Sequence, residues 1–565
     1  MAVLLLSGVA AYANSLDAPW VFDGKDYIAG GRASLKLWPP WASMQGAARP
    51  IGTWSFAVSH ALHGTDVFGY HVLNLAIHLG AALALLGIVR RTLLGTRLAE
   101  RYAPAATGLA LAVAMLWMLH PLQTQSVTYV YQRFESLMGL FFLLTLYTFI
   151  RAQDAARPVW WYAGSIGCCL LAMGSKEVAA VLPLVLLWYD RALLADSWRE
   201  VFRRRWKFYA TLFGLLGVLG LMVLTRLNIY RGGGVLVVEG LSWWEYALTQ
   251  PGVVLHYLRL SFWPQGQCLD YAWPVAQGPG AIVPPLLAVG ALLALTGWLV
   301  VRRPALGFLG GWFFLILAPT SSVAPIKDLA FEHRMYLSLA AVVAAVVIGG
   351  YELLGRVQAR RPDWPSRRTL GIALVAVAAI ALGTATWFRN ETYASEVSVW
   401  RDVVAKCPNN ARAHNSLGSA LAAEGKVEPA IGHFRKALEL DADYGLAHFN
   451  LATVLGPTHP HEAVEHYHAA IEQRPRDARA YANLGAVLTQ LKEMDAAERH
   501  LRKAIELQPR AARAHFNLAN VLARQSRLDE AIEHYREALR IEPDYSQAAA
   551  NLELALQLRA EQPGR

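Results

Sequence analysis

Charge is scarce in this chain. Only 17% of its 565 residues are Asp, Glu, Lys or Arg, against 55% that are hydrophobic. That balance excludes a disordered or highly charged soluble class and points to a membrane protein. Acidic residues are the scarcer sign, 42 against 52 basic ones. The surplus does not imply nucleic acid, because the arginines cluster in short loops between apolar runs. Cysteine is nearly absent. The four present fit no metal motif: Cys168 and Cys169 lie within one apolar run, and Cys268 and Cys407 stand alone. The start from Met1 to Ala13 is apolar but lacks the basic residues of a cleavable signal, so it reads as a short first span.

What is present is a series of apolar segments. Eleven read as spans, at about 1–14, 71–89, 104–119, 135–150, 158–173, 177–194, 207–225, 281–301, 304–319, 334–352 and 369–388. Every second loop is rich in arginine: Arg90, Arg91, Arg97 and Arg101; Arg151 and Arg157; Arg203, Arg204 and Arg205 with Lys207; Arg302 and Arg303; Arg356, Arg360, Arg361, Arg367 and Arg368. With a cytosolic N-terminus all five loops fall on the cytosolic side. An odd span count then places the C-terminal region on the other side, in the periplasm or an organelle lumen. Two external loops, 15–70 and 226–280, exceed what connection needs and so are expected to carry function. Their aromatic residues, among them Trp243, Trp244, Tyr246, Trp263, Tyr271 and Trp273, suit the membrane interface.

Ionisable residues gather at external span ends rather than at mid-bilayer, where a charge costs roughly 2.5–3.5 kcal/mol. They are Asp23 and Asp26, Arg49, His120, Arg133 and Glu135, Lys176 and Glu177, and Glu332, His333 and Arg334. A compact bundle would bring them into one polar cavity at the lipid boundary. There a carboxylate can act as general base toward a hydroxyl, and cations can hold a phosphate as leaving group. A sugar on a polyprenyl phosphate presents its phosphate at that depth. Its transfer needs one base, cationic phosphate ligands and, in some cases, a divalent cation such as Mg or Mn.

Beyond residue 389 the pattern changes. Residues 390–410 form a connecting helix or partial repeat. From 411 to 565 the chain repeats every 33–34 residues, with starts at Ala411, Gly445, Ala478 and Ala512 and a capping helix from Ser546. Two helices per unit at that period is the tetratricopeptide (TPR) signature. Ala430, Phe434 and Ala437 recur as Ala463, Tyr467 and Ala470, as Ala497, Leu501 and Ala504, and as Ala531, Tyr535 and Ala538: small residues for close helix approach and large ones between them. Asn450, Asn483, Asn517 and Asn551 share one place in successive units, with Ser416 in the first. Such a ladder can hold an extended peptide backbone or bridge neighbouring helices. It resembles the asparagine ladder of the O-GlcNAc transferase superhelix. The fold expected is all-α: a polytopic helical bundle over 1–389 followed by a TPR solenoid.

Five blocks occur in order: "YANSLDAPWVFDGKDYI" at 12–28, "RPIGTWSFAVSHALHGTDVFGYHVLNLAIH" at 49–78, "HPLQTQSVTYVYQRFESLMGLFFLL" at 120–144, "SKEVAAVLPLVLLWYDRAL" at 175–193 and "EHRMYLSLA" at 332–340. With the repeats they resemble the transmembrane and TPR-containing O-mannosyltransferase family and its bacterial relatives, within the GT-C glycosyltransferases. The resemblance implies sugar transfer from a polyprenyl-phosphate donor to Ser or Thr of a protein held by the repeats, with membrane lipid as surroundings and no nucleic acid. It maps the family's acidic pair onto Asp23 and Gly24, with Asp26 two residues on. It implies Asp23 or Asp26 as base, and Arg133, Lys176, His333 and Arg334 as phosphate ligands. Arg49, His120, Glu135, Glu177 and Glu332 then support these, and the asparagine ladder meets the acceptor. Alternatives are a transferase for an envelope lipid or glycan, and a non-enzymatic scaffold. The alanine- and arginine-rich composition favours a bacterial inner membrane, with an ER membrane and luminal repeats as the eukaryotic equivalent.

Overall fold

The computed structural model describes residues 1–22, 24, 35–44, 47–229 and 240–561. The described chain is helical and divides into two compact units, Met1–Val399 and Trp400–Arg565.

In the first unit each segment expected to span is helical. Five helices combine the length and apolar content needed to cross a bilayer: Val67–Leu94, Val130–Asp154, Gly278–Arg302, Glu332–Arg360 and Arg367–Glu391. A further apolar pair, Ala99–Met118 and Pro121–Val127, meets at a bend of 55°. The bend has a local cause. Pro121 has no N–H to continue the helix, and the His120 ring turns back so that its Nδ1 accepts from the Leu122 N–H at 3.2 Å. Others start on residues suited to it, with proline in the first turn at Pro50, Pro158 and Pro304 and a Ser242–Glu245 capping box on the Trp243–Phe262 helix.

Two glycines set how closely the helices approach. A Cβ on Gly52 would lie 2.1 Å from the Phe134 ring, and one on Gly139 would lie 2.3 Å from the Tyr336 ring. Tyr336 then sits in a polar knot: its hydroxyl meets His78 Nδ1 at 3.0 Å, and its carbonyl accepts from Trp117 Nε1 at 2.8 Å and Gln123 Nε2 at 3.3 Å.

The arginine-bearing loops meet at one end of this bundle. Arg91 approaches Asp154. Arg205 donates to Gln153 and to the fully buried Asp190. Arg97 pairs with Asp196, Arg101 with Glu352, and Arg367 stacks on Tyr351. The Arg133–Asp154 helix has 22 residues, so its first residues lie about 33 Å from this end. That is roughly the thickness of a hydrocarbon core. Charged groups at the two ends of this helix therefore sit a bilayer apart.

The second unit is a run of helix pairs: Ala411–Ala423 with Val427–Leu440, Gly445–Leu455 with Pro460–Gln473, Ala478–Gln490 with Met494–Leu507, and Ala512–Arg524 with Leu528–Ile541, followed by Ser546–Glu561. The expected small and large packing residues are buried throughout. Within three pairs a histidine of the first helix meets one of the second: His414–His433, His448–His466 and His515–His534, with Nδ1 atoms 3.0, 2.9 and 3.0 Å apart. The first-helix rings also bring Nε2 within 3.0, 2.9 and 3.1 Å of the carbonyls of Pro408, Ala442 and Pro509. A carbonyl only accepts, so Nε2 carries the proton and Nδ1 receives one from the second histidine. Each Nδ1–Nδ1 contact thus holds one proton, given by the second-helix ring.

Burial, and then the neighbouring ring, hold His433, His466 and His534 below the usual imidazole value. As pH falls the unfolded chain takes up protons first, near pH 6.5. The repeats are therefore expected to keep full stability above about pH 6.5 and to lose it progressively below. Hydrogen exchange on the full chain in detergent, corrected for intrinsic rates, checks this. Protection of 411–440 and 512–541 should fall between about pH 7 and pH 5 and fall less when His433 and His534 are replaced by Gln. Protection that ignores pH would contradict the assignment.

Candidate functional site

At the end of the bundle opposite the arginine loops, four helix starts and stops converge. Arg49 immediately precedes the Pro50–His63 helix, and Glu135 lies in the first turn of Arg133–Asp154. Lys176 follows the Pro158–Ser175 helix, with Glu177 next to it. Glu332–Arg334 is a 3-10 turn ahead of Met335–Arg360. Between them lies a cavity of about 260 Å³, lined by Arg49, Tyr131, Gln132, Glu135, Lys176, Glu177, Thr320, Phe331, His333 and Arg334, with Val178, Ile316 and Ile326 as apolar wall. Six of the residues expected at the site are brought together here from four separated sequence blocks.

The cavity is charged but ordered. Lys176 Nζ donates to Glu135 Oε2 at 2.6 Å, and both side chains are over 90% buried. Arg49 grips Glu177 with two bonds, Nε to Oε2 at 3.1 Å and Nη2 to Oε1 at 2.8 Å. Burial opposes the charge on Arg49, yet the Glu177 carboxylate raises its pKa above the ordinary guanidinium value. Arg334 reaches across to the 318–331 loop, donating to the carbonyls of Thr320, Leu329 and Asp328 at 3.0, 2.9 and 2.6 Å. Three cations face two carboxylates, and each carboxylate already holds a cation. Among the described residues no three His, Cys, Asp or Glu side chains converge as metal ligands. The described lining therefore does not fit a divalent cation, and no step below uses one.

Other expected site residues stand elsewhere. Arg133 is not a phosphate ligand. It is fully buried, with Nε on Asn74 Oδ1 at 2.6 Å, Nη1 on Ser59 Oγ and the Ser55 carbonyl, and Nη2 on the Tyr70 carbonyl. Its guanidinium also lies over the Phe56 ring at 4.5 Å. Every arm of the fork is committed, so Arg133 is a structural tie between the 50–70 segment and its own helix. His120 serves the bend and approaches the Ser261 carbonyl with Nε2 at 3.2 Å. Glu332 accepts from the Cys268 N–H at 2.6 Å, from the Tyr271 hydroxyl at 2.7 Å and from Gln267 at 3.2 Å, fixing the 267–271 segment. Asp23 and Asp26 lie outside the described residues. Of the interfacial aromatics, Trp243, Trp244 and Trp263 are exposed, whereas Tyr246 is buried and donates to the Thr320 carbonyl.

In the repeats, Asn450 donates to Asn415 and Ser419 at 2.9 and 3.1 Å, and Asn551 to Asn520 at 2.8 Å. These amides bridge neighbouring repeats. Asn483 bonds Tyr467 in the preceding unit. The Asn517 amide nitrogen is buried with no partner among the described residues. A broader depression of about 460 Å³ lies at Arg474–Arg479, where Asp477 is held by Arg474 and Arg479.

Sequence reasoning missed Gln125, whose Oε1 faces His333, and Tyr131, Gln132, Thr320 and Phe331 on the cavity wall. A signal for Gln125 was present. The run Gln123-Thr124-Gln125-Ser126 is polar yet almost wholly buried inside an apolar bundle, and buried polar groups exist to bond something.

Tetratricopeptide-repeat models match residues 397–445, 458–506 and 493–549. Among curated proteins, the chain is 26% identical over 464 residues to protein O-mannosyl-transferase Tmtc3 of Drosophila melanogaster, covering 71% of this chain and 49% of that protein. It is 25% identical over 504 residues to human protein O-mannosyl-transferase TMTC4, covering 75% and 64%, and 28% identical over 204 residues to human TMTC2, covering 32% and 23%. The chain's homologues are protein O-mannosyl-transferases. It spans about half the length of the first of these relatives. Those named here are animal proteins, so they do not bear out the bacterial affiliation expected from composition. Solved structures similar to the repeats include MamA, at 24% identity, 27% of this chain, 89% of that chain and a TM-score of 0.25. Another is YrrB, described as a TPR protein with an unusual peptide-binding site, at 19%, 36%, 99% and 0.26.

The Arg133 assignment is testable. Arg133→Lys keeps the charge but loses most of the fork, leaving Asn74 or Ser59 without its partner. A loss of about 2–4 kcal/mol is expected, read as a lowered melting temperature of the purified protein in detergent. A melting temperature equal to that of the wild type would show that the fork does not tie these segments together.

Proposed function

We propose that this chain is a membrane glycosyltransferase. It moves a sugar, mannose by the names of its relatives, from a polyprenyl-phosphate donor to a Ser or Thr hydroxyl of a protein brought by the repeats. The observation that carries the reading is the cavity: Arg49, Lys176 and Arg334 around a space of about 260 Å³, at the helix ends a bilayer's thickness from the arginine loops. A polyprenyl tail in the bilayer puts its phosphate at that depth. The arginine loops mark the cytosolic side by the positive-inside rule, so the cavity opens to the lumen or periplasm.

The donor's phosphate carries one negative charge in the diester and two once the sugar has left. Lys176 has three N–H donors and gives one to Glu135, and Arg49 keeps Nη1 beyond its two bonds to Glu177. Both can therefore add a phosphate oxygen without releasing their carboxylates. Such charge-assisted bonds strengthen as the leaving oxygen gains charge, which is transition-state stabilisation. Glu135 and Glu177 aim the cations. Arg334 holds the 318–331 loop and closes the cavity beside them. The repeats supply the protein acceptor. Their asparagines serve first as bridges between units, and acceptor holding falls to the surface those bridges shape.

The experiment is transfer of labelled mannose from polyprenyl-phosphate mannose to a Ser/Thr-rich protein by the chain in liposomes. Arg49→Gln is expected to raise the donor KM about tenfold and to lower kcat, with Arg49→Lys between it and the wild type. Lys176→Arg should keep more activity than Lys176→Gln. Wild-type protein that neither binds polyprenyl phosphate nor transfers label across several sugars would rule the reading out and leave a scaffold.

A further inference from the structure

The Trp198–Ile229 helix opens with two parallel stripes. Trp198, Phe202 and Trp206 recur every four residues, and Arg199, Arg203 and Lys207 run beside them. Neither stripe is packed into the bundle. The three aromatic side chains are each about half exposed, and the three cations are exposed. Trp198 and Phe202 stack at 6.4 Å and 27°, which puts them on one face, and Lys207 Nζ lies 5.9 Å from the centre of the Trp206 ring.

The other face of the segment is fixed. Val201, Phe208 and Tyr209 are buried. Arg205 departs from helical geometry, at φ −134° and ψ 19°, and donates inward to Asp190 and Gln153. Phe208 meets Phe149 and Tyr162 at 5.2 and 5.0 Å. The contact with Tyr162 brings the start of the Pro158–Ser175 helix alongside, where Arg157 and Trp160 are exposed as well. These inward bonds hold the two stripes outward.

Charge on this surface is unbalanced. The neighbouring carboxylates are engaged: Glu200 with Arg204 at 3.0 Å, Asp196 with Arg97 at 2.7 Å and Asp154 with Arg91 at 3.9 Å. Arg157, Arg199, Arg203 and Lys207 have no acidic partner among the described residues. The bond from Arg205 to Gln153, next to Asp154, places the surface at the end of the bundle that carries the arginine loops. At that level a membrane protein meets lipid headgroups. Aromatic rings seat between headgroup and acyl chain, and unmatched cations attract phosphate. A soluble anion would leave the rings uncovered, and a zwitterionic lipid would bring no net countercharge.

We propose that this surface is a binding site for anionic phospholipid in the leaflet on the arginine-loop side. Arg199, Arg203 and Lys207 hold the headgroup phosphate, and Trp198, Phe202 and Trp206 cover the glycerol and upper acyl region. Arg157 and Trp160 extend the site across the neighbouring helix. The cavity lies at the opposite end of the bundle, so the site does not depend on the transferase reading.

The test titrates the purified full chain in neutral detergent with short-chain phosphatidylglycerol and, separately, with short-chain phosphatidylcholine. Phosphatidylglycerol is expected to bind more tightly at low salt, with the preference shrinking as salt screens the cations. Joint Arg199→Gln, Arg203→Gln and Lys207→Gln should weaken phosphatidylglycerol at least about tenfold and leave phosphatidylcholine little changed. Trp198→Ala with Trp206→Ala should weaken both lipids. Arg302→Gln with Arg303→Gln, which removes two exposed cations of another loop, should change phosphatidylglycerol binding less than about twofold. Melting temperatures in detergent check that the variants fold; if the triple variant does not, the salt series and the tryptophan pair carry the test. No preference for phosphatidylglycerol in the wild type, or an unchanged preference in the triple variant, would overturn the site. An equal loss in the Arg302 and Arg303 variant would show a response to net charge alone and would overturn it too. Full displacement by inorganic phosphate at matched ionic strength would make it a free-phosphate site and overturn the lipid assignment.

Discussion

Three consecutive buried side chains, Glu332, His333 and Arg334, hold three different parts of the bundle. Glu332 binds the loop at 267–271, His333 binds Gln125 at the broken helix, and Arg334 binds the carbonyls of the 318–331 loop. Two residues on, Tyr336 joins His78, Trp117 and Gln123. In an apolar bundle, buried polar groups left unmatched are costly, so each of these bonds specifies a position as well as stabilising it. The cavity is the space these anchors leave. Its charge comes from Arg334 and from Arg49, Glu135, Lys176 and Glu177, which two well-formed ion pairs keep in place.

The same constraint explains why charge is so unevenly distributed. Several arginines at the opposite end pair with acidic partners or stack on aromatics, as Arg205 does with Asp190 and Arg367 with Tyr351. They clip helix ends together. The cations of the cavity keep donors beyond their carboxylate partners. Partnership, rather than charge, separates the two roles: Arg133 donates four bonds to Asn74, Ser55, Ser59 and Tyr70 and does not line the cavity.

The repeats follow a different economy. Packing by alanines and large side chains builds the solenoid, as in any such array. Added to it are polar contacts that recur with the repeat: asparagine bridges between units and histidine pairs within them. The histidine pairs need a proton on one Nδ1 and none on the other, so a further proton on the first-helix Nδ1 would break the contact.

Much of this was legible in the sequence, because it depends on periodicity. Apolar length gives spans, a 33–34-residue period gives helix pairs, and arginine placement gives two ends. The blocks around Arg49, Glu135, Lys176 and Glu332 were recognisable as site-bearing because charge is rare in such a chain. Partnership was not legible. Arg133 and Lys176 look alike in sequence, yet one is sealed by Asn74, Ser55, Ser59 and Tyr70 while the other lines the cavity. Asn450 looks like a peptide contact until Asn415 is placed beside it. Gln125 has no meaning until the chain brings His333 to its amide oxygen across 208 positions. The sequence alone determined which elements form and which faces are polar, since these follow from local composition. Only the tertiary structure decided which polar groups satisfy one another and which are left for a ligand, because hydrogen bonds act over about 3 Å and join residues that the chain order keeps far apart.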